Sequence, residues 1–159
     1  MASIKPNHDH FLSWDDIQRD CRALAHRLID EPWKGIIAIT RGGMIPAAIL
    51  ARELELRVID TLCIASYRHQ DQGEADILKA AASAGDGQGY LLVDDLVDTG
   101  NTATIAKKHY PRARFICLYA KPKGQPLADD YCRAFAQDVW LHFPWDSTLQ
   151  YAPPLAENR

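Results

Sequence analysis

The sequence predicts an α/β fold, a parallel sheet flanked by helices, and three observations carry that reading. Four short apolar runs, 35–39, 58–64, 90–93 and 115–119, do not alternate with polar residues, as suits strands buried on both faces. Helical patterns over Pro46–Leu54 and Thr102–His109 lie between them, and strands alternating with helices imply βαβ units with right-handed crossovers. The chain has 159 residues, 47% of them hydrophobic, which suits one domain with its own core.

Taken in order, residues 1–12 are mostly polar and read as a flexible arm. The run His8-Asp9-His10 has metal-ligating residue types, but a solvated tail is the expectation. Ser13 starts a helix, with Asp16 three residues on completing a capping-box pattern. Ile17, Cys21, Leu24, Ala25 and Leu28 recur at helical spacing up to Asp30-Glu31-Pro32. After the second apolar run the pattern breaks: 66–89 is polar, then Ala-rich, then Gly-rich, and reads as a mobile loop with a helix around Ala75–Ala82. From Lys121 the chain turns Pro-rich and aromatic, and residues 121–150 read as a small hood over one sheet edge, all within a single domain over 13–159.

Composition excludes several classes. Eighteen basic against 21 acidic residues give a net charge of −3, against a nucleic-acid binder with a clustered basic face. Cysteines 21, 63, 117 and 132 have no CxxC spacing and read as free thiols in a reducing compartment. The apolar runs are far shorter than the ~20 residues a membrane helix needs, and MASIKPNHDH lacks the apolar core of a signal peptide. A cytoplasmic protein is expected.

Ligands of open parallel sheets bind beyond the carboxyl ends of the strands. The segment 91–102, LLVDDLVDTGNT, brings three carboxylates, Asp94, Asp95 and Asp98, to one such end, followed by Thr99, Gly100, Asn101 and Thr102 at the start of a helix. Backbone and hydroxyl donors at a helix N-terminus cradle an anion with help from the helix dipole. The acidic pair would repel a bare phosphate and suits ribose hydroxyls and an oxygen-loving cation such as Mg²⁺. A turn with a helix cap uses the same residue types, but three carboxylates within five residues are costly for a cap alone.

That segment resembles the phosphoribosyl pyrophosphate (PRPP) motif of type I phosphoribosyltransferases: an apolar run, two acids, a spacer, then D-T-G-x-T. From about Trp14 to Pro154 the chain resembles the bacterial purine-salvage branch of that family, which uses xanthine and guanine. The pieces that carry this are WKGIIAITRGGMIPAAILAREL, DTLCIASY, VDDLVDTGNT, YAKPKGQPLADDY and QDVWLHFPWD, in matching order and spacing. The resemblance implies a Rossmann-like parallel sheet with a C-terminal hood, acting on PRPP and a 6-oxopurine to give a nucleoside monophosphate, with Mg²⁺ as cofactor. It also implies a homo-oligomer, a tetramer, and admits a peripheral seat on the inner membrane, for which the sequence shows no basic amphipathic helix.

Site roles follow from the same resemblance. The loop Thr40-Arg41-Gly42-Gly43 would bind pyrophosphate through Arg41 and Gly42; a tight βα turn explains the glycines but not the arginine. PRPP contacts would run along Asp94, Asp95, Leu96, Val97, Asp98, Thr99, Gly100, Asn101 and Thr102. Asp94 and Asp95 would face the ribose hydroxyls, and Asp95 would be the Mg²⁺ ligand. Asp98 would also reach the purine imidazole edge as the catalytic group. The Lys121 ammonium, a pure donor, would bond the 6-oxo group and oppose adenine's amino group; Trp140 would stack on the base and the Leu141 backbone read its edge. A solvated surface lysine and a core tryptophan are the plainer readings of Lys121 and Trp140. Trp14, Trp33 and Trp145 read as packing.

Two departures stand out. The frequent D-T-G-G-T is D-T-G-N-T here, with Asn101 in the cradle. The family's basic loop residue aligns with Gly73, leaving Arg68 and Lys79 as the nearest cations for PRPP. Three other readings remain: a non-catalytic PRPP or nucleotide sensor, a phospho-acceptor domain lacking a T-G-x-T cradle, and a transferase for adenine or orotate. Lys121 with Trp140 weighs against the first, the T-G-x-T cradle against the second, and Lys121 with the match outside the PRPP motif against the last.

Overall fold

A computed structural model describes residues 8–65, 76–146 and 153–158. The first helix, α1 (Trp14–Leu28), starts from the predicted capping box: the Asp16 N–H donates to Ser13 Oγ at 3.0 Å, and the Ser13 N–H donates to the Asp16 carboxylate at 2.9 Å. Its buried stripe includes Ile17, Cys21, Leu24, Ala25 and Leu28, the residues whose spacing predicted it.

The central sheet is built from β2 (Gly35–Thr40), β3 (Ile59–Ile64), β4 (Ile77–Lys79), β5 (Tyr90–Val97), β6 (Arg114–Ala120) and β7 (Asp130–Ala134). Their order is β4-β3-β2-β5-β6-β7, parallel throughout except for antiparallel β4 at the edge. Helices α2 (Met44–Glu53) and α3 (Asn101–His109) follow β2 and β5. Side chains alternate between faces: Ile36, Ala38, Leu91, Val93, Ile116 and Leu118 join the core under α1 and α2. Ile37, Ile39, Leu92, Phe115 and Cys117 join a second core with Ala103 and Ala106 of α3. Both faces are covered, which is why these strands read as unbroken apolar runs.

The structure corrects the sequence reading at both ends and in the middle. His8–Phe11, expected as flexible arm, form β1, which pairs in parallel with β8 (Val139–His142). Leu12 closes this small sheet, with its N–H on the His142 carbonyl at 2.9 Å and only 5% exposure. Polar strand residues are held there by ladder hydrogen bonds to a distant segment, a force no local pattern reveals. The helix expected around 75–82 is instead β4 with a 3₁₀ turn at Ala82–Ala84. Pairing with β3 outweighs the helical propensity of the alanines. Of the expected 66–89 loop, residues 66–75 lie outside the described residues, and 85–89 form turns that lead into β5. β5 runs four residues past Val93, so Asp94 and Asp95 lie within the strand. The segment read as hood contributes β7 to the main sheet edge and β8 to the small one. Among the described residues no helix is long and apolar enough to cross a membrane.

Candidate active site

The carboxyl ends of β2, β5 and β6 converge, because these three strands are neighbours in the sheet. After β2, Arg41, Gly42 and Gly43 turn the chain into α2, with the Arg41 side chain exposed and a cis peptide bond between Thr40 and Arg41. A β-carbon on Gly42 would overlap the Asp95 carboxylate, and one on Gly43 would overlap the Val93 carbonyl. Glycine is required at both positions by the close approach of this turn to β5. The Asp95 carboxylate therefore packs directly against the glycine turn.

Within β5, the Asp95 N–H donates to Asp94 Oδ1 at 2.9 Å and the Leu96 N–H donates to Asp95 Oδ1 at 2.7 Å. Burial pushes the Asp94 carboxyl well above its ordinary range, and the adjacent Asp95 charge adds to the effect. Burial also raises Asp95, opposed by its hydrogen bonds. Among the described residues neither has a basic partner within ion-pair distance. Leu96 packs against the α1–α2 core, and Val97, 3% exposed, packs into the α3 core, so only their backbones remain for a ligand.

Beyond β5, Asp98 and Thr99 are exposed, and Gly100 takes φ +93°, a left-handed turn that starts α3 at Asn101. No side chain caps this helix, so its first N–H groups are open to an anion. They border a cavity of about 100 Å³ lined by Asp98, Thr99, Gly100, Asn101 and Thr102 with β5 behind. Larger open hollows lie near Arg19, Asp20 and Arg133 and along 51–57, but neither is lined by the carboxyl ends of β2, β5 or β6.

Lys121 leaves β6 with its N–H on the Val97 carbonyl at 2.9 Å and is 4% exposed, unlike exposed Lys123. Its ammonium lies 3.4 Å from Asp98 Oδ2. The other Asp98 oxygen accepts from Gln137 Nε2 at 2.6 Å. On β8, Trp140 is 55% exposed and Leu141 is buried, opposite Asp9 and His10 of β1. Asp9 also meets His142 Nε2 at 2.9 Å, and the Phe11 ring stacks on His142. Trp14 and Trp145 lie ring to ring, and the Trp33 indole donates to the Leu28 carbonyl.

The structure thus brings Gly42 to Asp95 and Lys121 to Asp98. Lys79 is drawn to β3, bonding Asp60 and the Thr61 carbonyl and hydroxyl. Arg68 and Gly73 lie outside the described residues. Sequence reasoning missed Gln137 and Asp9. Gln137 sits three residues before Trp140 as a polar turn residue, and nothing local marks it; Asp9 was visible only as part of a tail.

Residues 9–152 match the family model described as phosphoribosyl transferase domain. A xanthine-guanine phosphoribosyltransferase of Chromohalobacter salexigens is 53% identical over 157 residues, 98% of this chain and 96% of that protein. One from Desulfotalea psychrophila is 56% identical over 146 residues, 91% of this chain and 90% of that protein. Among solved structures, the purine phosphoribosyltransferase of Pyrococcus horikoshii Ot3 superposes with a TM-score of 0.78 at 24% identity, covering 92% of this chain and 99% of that one. The fold is that of type I phosphoribosyltransferases, and a match reaching from β1 past β8 leaves little of the chain outside it: the protein belongs to the phosphoribosyl transferase domain family.

Proposed function

We propose that the chain transfers the phosphoribosyl group of PRPP to a 6-oxopurine (guanine, xanthine or hypoxanthine), releasing pyrophosphate and a nucleoside 5′-monophosphate. The observation that carries the reading is the Asp98–Lys121 pair, 3.4 Å apart at the mouth of the α3 anion site. It sets a buried donor for an exocyclic oxygen beside an acceptor for a ring proton. Two relatives named xanthine-guanine phosphoribosyltransferase, each more than half identical over nearly the whole chain, support the substrate class.

In this reading Asp98, Thr99, Gly100, Asn101 and Thr102 hold the 5′-phosphate, and Arg41 with Gly42 holds the pyrophosphate. Leu96 and Val97 contribute backbone only. Asp94 and Asp95 face the ribose hydroxyls. Phosphoribosyltransferases generally use Mg²⁺ with PRPP, and the residues present fit it. Asp95 offers hard oxygen donors, lacks a basic partner among the described residues, and lies directly against the turn at Gly42. When bound, the cation neutralises charge on the departing pyrophosphate. A purine ring nitrogen bonds to the anomeric carbon as the bond from that carbon to the pyrophosphate oxygen breaks, its electron pair leaving with pyrophosphate. The imidazole proton of the purine passes to Asp98. Lys121 bonds the 6-oxo group, Trp140 stacks on the ring and the Leu141 backbone meets its edge.

Assembly as a homo-tetramer is part of the proposal, supported by exposed apolar Met44, Val58 and Ile59. We place the reaction in the cytoplasm with its soluble substrates; a seat on the inner membrane rests on resemblance alone. The test follows pyrophosphate release from PRPP and Mg²⁺ across a purine panel. Release with 6-oxopurines and not with adenine is expected; release with adenine alone, or with no purine, overturns the reading.

A further inference from the structure

The Asp98 carboxylate is half exposed and sits at the end of a strand, where a side chain with no second anchor would sample several rotamers. Among the described residues it has two side-chain partners. The Lys121 contact, at 3.4 Å, is long, and the ammonium has further donors to give to a 6-oxo group. The Gln137 contact, at 2.6 Å, is short. Its direction is fixed as well: Gln137 Oε1 accepts the Lys123 backbone N–H at 3.0 Å, and a backbone N–H can only donate. The NH₂ end of the amide is therefore the end that meets Asp98 Oδ1. Through this one amide the turn between β7 and β8, the turn after β6 and the end of β5 are tied at a single point.

We propose that Gln137 is a positioning residue that anchors one oxygen of Asp98 while the other meets the purine. This rests on the reading of Asp98 as the group that takes the purine proton. The anchor persists through the reaction because Gln137 carries no charge to be redirected. It also links the base site to the phosphate site, since Asp98 borders the α3 anion cavity and Gln137 leads into the strand carrying Trp140.

The groups facing Asp98 are few. The Lys121 ammonium comes from the turn after β6, the neutral Gln137 amide comes from the hood, and the first turn of α3 carries no acidic side chain. Asp94 and Asp95 precede it on β5. A negative charge at position 137 would thus face Asp98 directly.

The experiment measures kcat, KM for guanine and PRPP binding, across pH, for Gln137→Met, Gln137→Glu and Asp98→Asn. Methionine keeps the length of the side chain without the hydrogen bond. It should lower kcat roughly 10- to 100-fold, the scale on which misplacing a reacting group acts, with PRPP binding unchanged. Glutamate keeps the acceptor for the Lys123 N–H and sets a carboxylate against Asp98. The acid limb of kcat should move up by about one pH unit or more. If the methionine variant fails to fold, by near-ultraviolet circular dichroism, the glutamate variant decides. Asp98→Asn separates the two ideas. If it turns over at the wild-type rate, the reading of Asp98 fails and the anchor with it. If it loses turnover while both Gln137 variants keep the wild-type rate and profile, the anchor alone is overturned.

Discussion

The Lys121 ammonium lies 3.4 Å from Asp98 Oδ2, with the lysine side chain 5% exposed and the aspartate side chain 48% exposed. The buried member of this pair is the cation, and its side-chain partner among the described residues faces solvent. A lysine held this way is stabilised by a group that a ligand can reach and replace. An incoming 6-oxo group offers the ammonium a second acceptor at little cost in burial.

Lys121→Ala removes a charge-assisted hydrogen bond worth roughly 1.5–3 kcal/mol. The specificity constant for guanine should fall about 10- to 200-fold, since 1.4 kcal/mol is tenfold. Adenine loses a donor–donor clash, so the guanine-to-adenine ratio narrows from both sides. The measurement is that ratio in wild type and variant, and an unchanged ratio removes Lys121 from base recognition.

PRPP should raise the melting temperature only with Mg²⁺ present, because partly buried Asp95 lies against the glycine turn, next to buried Asp94, and neither carboxyl has a basic partner among the described residues. A ligand at about 100 times its Kd adds roughly 2.7 kcal/mol of stability. Thermal melts with PRPP, with and without a chelator, check this. A shift that the chelator leaves intact contradicts the role given to Asp95.

Gly42→Ala would drive a methyl group into the Asp95 carboxylate. Overpacking of this kind costs about 1–3 kcal/mol, and here the displaced group is the proposed cation ligand. We expect the Mg²⁺-dependent PRPP shift to shrink more than the melting temperature of the free protein. Equal losses in both would make Gly42 a folding residue only.

The α1 capping box predicts an acid-sensitive contribution. The Ser13 N–H, first, and then the Ser13 hydroxyl and Arg19 hold the Asp16 carboxyl below its ordinary value. A depressed carboxyl stabilises the fold above its unfolded value, and that contribution is lost as pH falls through the lower folded value. Asp16→Asn should therefore lower the melting temperature at pH 7 and lose its effect towards pH 2. Ser13→Ala should cost about 1 kcal/mol at neutral pH. Melting curves at both pH values decide; a penalty that persists in acid would show that the carboxylate charge is irrelevant.

Elements that fold for local reasons were legible in the sequence. α1 announces itself by Ser13, Asp16 and its apolar stripe, and β2, β5 and β6 by runs buried on both faces. The acidic strand end was legible because crowded carboxylates are costly without a counter-charge, and the glycine turn because only glycine fits so close to β5. What stayed hidden depends on partners far along the chain. HDHF becomes β1 only by pairing with β8, and Ile77–Lys79 becomes β4 only at the edge of β3. Burial of Lys121 and the Gln137 amide on Asp98 are likewise tertiary, 23 and 39 residues from their partner.

The pairing of β1 with β8 has a consequence for how the molecule is made. His8 finds Val139, and Phe11 finds His142, so almost the whole described chain is enclosed between two strands that must meet. Closing so large a loop comes late, since its entropy is regained only after intervening segments have ordered. During synthesis the first strand leaves the ribosome long before its mate exists. A nascent chain can therefore assemble β2, α2 and β5, with the glycine turn after β2 and the head of α3, while β8 is still being translated. The corner of the candidate site that carries Trp140 is the last part to be completed.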